Sequence, residues 1–123
     1  MLTIRKEQLR ALDRDKRDRF IDTALEHLRK FFPERCNALG ENQLRRWIEY
    51  GIERAGSYRI VSERGVCKYM DVMIVFGKDF DRDKELPWAS KILNNHYSQT
   101  EEKSDLLLEA AKQYQTGSEL KRE

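Results

Sequence analysis

From Phe20 onward the apolar positions of this chain recur every three or four residues, the repeat of a helix with one buried face. Phe20, Ala24, Leu28 and Phe31 mark the first stripe, widened by Ile21, Leu25 and Phe32. Thr3 suits an N-cap, so the spacing predicts a first helix running from there to Phe32, where Pro33 stops it. A loop containing Asn37 and Gly40 leads to a second helix near Glu41 to Arg54, with Leu44, Trp47, Ile48 and Ile52 on its buried face. Gly56 and Ser57 punctuate it. Ser62 is a good N-cap for a third helix, built on Val66, Tyr69, Met70, Met73, Ile74 and Phe76 and stopped at Gly77. Val72 to Phe76 would also suit a short buried strand, but the helical spacing that begins at Val66 decides for helix. Pro87 fits the first turn of a fourth helix with Trp88, Ile92 and Leu93. A fifth is expected near Thr100 to Tyr114, carrying Leu106, Leu107, Leu108, Ala110, Ala111 and Tyr114. Beyond Gly117 the polar SELKRE reads as a loose tail.

These elements predict an all-α fold: a single compact domain of about five helices, largely antiparallel through short loops. Residues 1–95 form its helical core. Residues 96–123 add a C-terminal helix and the polar tail to the same domain.

Length and charge narrow the function classes. The chain has 123 residues, enough for one modest core. Charged residues make up 37% of it, yet the net charge is only +2. Neither sign dominates, which disfavours nucleic acid and membrane surfaces as partners. The run Asp13 to Arg19, DRDKRDR, alternates in sign at helical spacing and reads as a solvated helix turn. No apolar run reaches the ~20 residues of a membrane span, and MLTIRKEQLR lacks the apolar centre of a secretory signal. A cytoplasmic protein is expected. Cys36 and Cys67 are too far apart for a paired-cysteine metal site and are expected reduced and at least partly buried.

Candidate chemistry is sparse. Asp79, Asp81 and Asp83 alternate as in the opening of a calcium loop, but Lys84 and Lys91 occupy the positions that need Gly and Glu. A solvated loop, or helix caps from Asp79 and Asp81, is the expected reading. His27 borders the apolar face of the first helix, and His96 lies in polar NNHYSQ. No glycine-framed nucleophile or phosphate loop is present. The helix YMDVMIVF is too apolar to read DNA bases. Catalytic residues, metal ligands and cofactors are therefore all expected to be none, unless a site is assembled in space from distant residues. The aromatic residues suggest binding instead. Tyr50, Phe80 and Trp88, with Arg82, Leu107 and Tyr114, form the candidate protein-binding surface, since aromatics and Arg dominate protein–protein contacts.

Three segments carry a resemblance: LRKFFPERCNALG (Leu28 to Gly40), GIERAGSYRIVSERGVCKYMDVM (Gly51 to Met73) and FGKDFDRDKELPWASKIL (Phe76 to Leu93). Their order resembles that of small accessory proteins encoded beside bacterial type VI secretion effectors. The resemblance covers roughly the first ninety-five residues. It implies a non-enzymatic co-chaperone that binds an effector, or the adaptor that loads it, in the producing cell. The alternative it implies is an immunity protein that neutralises a cognate toxin. It assigns no individual residue.

Overall fold

The computed structural model describes residues 14–95 and 100–121, with side chains from 14 to 95 and from 102 to 116. The described residues form six α-helices and one 3-10 turn: α1 (Arg14–Phe31), α2 (Pro33–Leu39), α3 (Glu41–Ser57), α4 (Glu63–Phe76), the turn Phe80–Arg82, α5 (Pro87–Leu93) and α6 (Thr100–Lys121). The all-α expectation holds. The predicted start of the first helix at Thr3 lies outside the described residues, as does His96.

The extra helix comes from Pro33. Phe32 leaves the helical region at φ −136°, ψ 54°, and Pro33 then starts α2 at the first helical position. There its missing N–H costs nothing. A loop was expected here because proline was read only as a stop. Gly40, at φ 83°, both closes α2 and precedes α3. α3 runs past Arg54 and takes in Gly56 and Ser57, which were expected to punctuate it, and the left-handed residue after it is Arg59, at φ 70°. α4 behaves as predicted: the Ser62 side chain accepts from the Gly65 N–H at 3.0 Å, and Gly77 ends the helix at φ 110°. Val72 to Phe76 is helix, not strand. At the far end, α6 continues through Gly117 to Lys121, where a loose tail was expected.

Packing follows the stripes. α1 and α3 run antiparallel, tied at their solvent edge by Arg17–Glu53, Asp22–Arg45 and Arg29–Glu41. α3 and α4 are also antiparallel and approach closely at Gly51, where an added Cβ would lie 3.1 Å from Met73 Cε. α6 lies along α4 in parallel: Ser104 faces Gly65 at one end, and Tyr114 faces Phe76 at the other. The core holds Ile48, Ile52, Val66, Tyr69, Met70, Met73, Phe80 and Leu107, all at most 1% exposed. Trp47, expected in the core, is only half-buried and packs against it from outside. The charged run at the start of α1 is solvated from Arg14 to Arg19, apart from a half-buried Arg17.

Cys36 is buried, Cys67 is half-buried, and both are free thiols. Burial pushes the Cys67 thiol up to about 11, with Asp71 and Glu63 adding to the effect. Thiolate is the reactive form. Cys67 is therefore expected to label slowly with iodoacetamide at pH 7.5 and faster as the pH approaches 10. Intact-mass measurement of protein purified without reductant should show no intramolecular bridge. Rapid stoichiometric labelling at neutral pH would contradict this environment.

Candidate functional site

The candidate residues do not form one surface. Two of them, Phe80 and Leu107, are core: they are 1% and 0% exposed. Phe80 stacks on Tyr69 at 5.0 Å between ring centroids. Its position in an acidic turn suggested exposure, but the 3-10 turn points its ring inward. Leu107 lies on the face of α6 that meets the core, while Leu106 beside it is 39% exposed. Neither Phe80 nor Leu107 can anchor a partner while the fold is intact.

Tyr50 and Arg82 belong to a polar clasp. Tyr50, Arg54 and Tyr58 occur at four-residue intervals along α3 and its C-cap, so they share one face. Asp79 and Asp81 are two apart in the turn that docks there. Tyr50 donates to Asp79, and Arg82 donates to both Asp79 Oδ1 and the Tyr50 hydroxyl at 3.1 Å. The Tyr50 bond, reinforced by Arg82, holds the Asp79 carboxyl below its ordinary range. Lys78 sits 5.2 Å above the Tyr50 ring. One step along, Arg54 donates to Asp81 Oδ2 through two nitrogens, Nε at 3.0 Å, and Tyr58 donates to the same oxygen at 2.7 Å. Burial and the Asp81 carboxylate push the Tyr58 hydroxyl up to about 12. Asp81 is not the solvated or capping residue expected, since its side chain is fully buried. Asp83 accepts from the Glu85 N–H at 2.9 Å. The three carboxylates are thus committed to three separate sets of partners. Among the described residues, no group of three or more His, Cys, Asp and Glu side chains is placed to hold a metal.

Trp88 and Tyr114 belong to an aromatic triad with Phe76. Centroid separations are 5.5 Å for Phe76–Trp88, 5.8 Å for Phe76–Tyr114 and 5.7 Å for Trp88–Tyr114, mostly edge-to-face. This is the favoured aromatic arrangement. Tyr114 is 40% exposed. Phe76 also lines an apolar groove of about 270 Å³ between α4 and α6, whose walls include Phe32, Val72, Val75, Leu108 and Ala111. Asp71 and Lys112 border the groove. His27 Nε2 meets Asp71 Oδ1 at 2.7 Å, and the His27 ring packs against Phe31, which is 58% exposed. Burial raises the Asp71 carboxyl, and the His27 bond opposes that shift.

The groove was not visible in the sequence, because it arises where α4 and α6 lie in parallel. The clasp did leave a signal, the Tyr50–Arg54–Tyr58 spacing opposite alternating Asp79 and Asp81. Comparison with known proteins finds no match for this chain among family models, curated proteins or solved structures. Among the described residues, no helix is long and apolar enough to cross a membrane.

Proposed function

We propose that this chain is a protein-binding module with no catalytic chemistry of its own. Its contact surface is the Phe76–Trp88–Tyr114 triad and the groove beside it. The observation that carries this reading is the triad itself. Three aromatics from three different helices are gathered at the end of an apolar groove, with Tyr114 part-exposed. Exposed aromatics over a rigid base are what protein interfaces use as anchors, because large area is buried at little cost in side-chain entropy. Phe31, at the α1 end, extends the apolar surface.

The partner is a type VI secretion effector or its adaptor, on the strength of the resemblance in the segments from Leu28 to Leu93. Co-expression of the tagged full chain with the products of the adjoining genes tests this directly. A complex should survive gel filtration at about micromolar concentration, and Tyr114→Glu should weaken it by about tenfold or more. If no neighbouring product co-elutes, and deleting the gene alters neither secretion nor self-protection, the reading fails. Deletion also separates the two roles. Loss of a co-chaperone abolishes effector delivery and spares the cell, whereas loss of an immunity protein kills cells that meet the cognate toxin.

A further inference from the structure

We infer that the cavity between the 3-10 turn and α5 is a second contact site, and that it takes an acidic segment of a protein partner. The cavity measures about 570 Å³ and is open to solvent. One wall is the turn and the residues after it, Asp81 to Lys84. The other is the polar face of α5, where Pro87, Ser90, Lys91 and Asn94 recur at helical spacing. Trp88 looks the other way, into the aromatic triad. The site is therefore distinct from the groove, and the inference does not depend on it.

Charge decides the ligand class. Asp81 is in the cavity wall, but its side chain is fully buried and paired with Arg54. Arg82 is exposed and paired with Asp79. Asp83 faces the cavity with one oxygen committed to the Glu85 N–H. Glu85 is an exposed neighbour outside the lining. Lys84 and Lys91 are exposed, and no ion pair among the described residues engages either. Two free ammoniums thus line the two walls of the cavity, where the Tyr58 hydroxyl is already given to Asp81 and the Asn94 amide to Ser90, so the lysines are the groups left for a ligand. Carboxylates spaced along a peptide can reach both lysines at once. A peptide presents several carboxylates in series, which a single small anion does not. Such attraction between exposed charges is screened by salt.

The test is a titration of the isotopically labelled full chain with capped hexaglutamate, followed by amide chemical shifts. At about 25 mM salt, saturable shifts are expected on residues 81–94, and the affinity should fall by about tenfold at about 250 mM salt. Lys84→Glu with Lys91→Glu should abolish the shifts and leave the melting temperature unchanged, since both side chains are exposed. If that pair fails to fold, Lys84→Gln with Lys91→Gln replaces it, with the same expected loss. Inorganic phosphate should give no comparable effect. Equal shifts with phosphate would make this a small-anion site and overturn the inference. So would shifts spread over Arg14 to Arg19 and over Arg45 and Arg46, or no saturation by about 5 mM peptide. None of these failures touches Tyr114 or the groove.

Discussion

Arg54→Met is expected to destabilise the fold by about 3–5 kcal/mol, the cost of leaving a buried carboxylate without its counter-ion. Asp81 has no exposed side-chain surface, and Arg54 is 25% exposed. The guanidinium delivers two hydrogen bonds to one oxygen, and Tyr58 adds a third. Removing Arg54 leaves only the Tyr58 bond to offset the desolvation of Asp81. A domain of this size has about 5–15 kcal/mol in total, so the variant should unfold at a markedly lower urea concentration. Tyr58→Phe removes one hydrogen bond to a charged group and should cost about 1.5–3 kcal/mol. Arg54→Met with Asp81→Leu should recover most of the loss, because an apolar pair of similar size needs no compensation. Urea unfolding of the four proteins, followed by tryptophan fluorescence, decides it. Equal midpoints for the parent and Arg54→Met would mean that Asp81 is not buried as an ion pair.

The apolar repeat carried the architecture because burial in this fold is mostly a matter of helix faces. Every helix whose stripe was readable is present, and Ser62 and Gly77 bound α4 as their chemistry dictates. The errors of burial share one cause. Pattern reading assigns burial by residue type, so it put Asp81 outside and Trp47 inside. Asp81 is buried because a separate helix supplies Arg54 and Tyr58, and neither is near it in sequence. Phe80 was offered as an anchor because charged residues surround it. In a 3-10 turn one residue of such a run still points inward, and here it meets Tyr69. The candidate surface was half readable for the same reason. Composition found Trp88 and Tyr114, but their meeting with Phe76 depends on α5 and α6 both packing beside the end of α4.

Truncation after Asn95 should abolish cooperative folding, because α6 completes the core and is not an added binding element. Leu107 is 0% exposed, Ser104 0% and Ala111 5%. The α6 stretch from Ser104 to Tyr114 follows α4 from Gly65 to Phe76. Lys103 adds a bond to the Tyr58 carbonyl at 2.9 Å, and burial lowers its ammonium from the ordinary lysine range. Lys68 pairs with Asp105 at the edge. Leu107→Ala alone should cost about 2–5 kcal/mol, as buried leucine truncations do. Removing the entire helix also uncovers the apolar face of α4, and the loss then exceeds what a domain of this size can spare. The truncated chain is expected to show a broad, non-cooperative thermal transition and a collapsed near-ultraviolet dichroism. Tyr114→Glu serves as the contrast: it removes two ring contacts at the part-exposed end of the triad, so it should lower the melting temperature by several degrees and leave the transition sharp. A truncated chain that still melts sharply would return α6 to the role of a detachable partner-binding arm. Leu107→Ala would then be nearly silent in stability and would show its effect in binding.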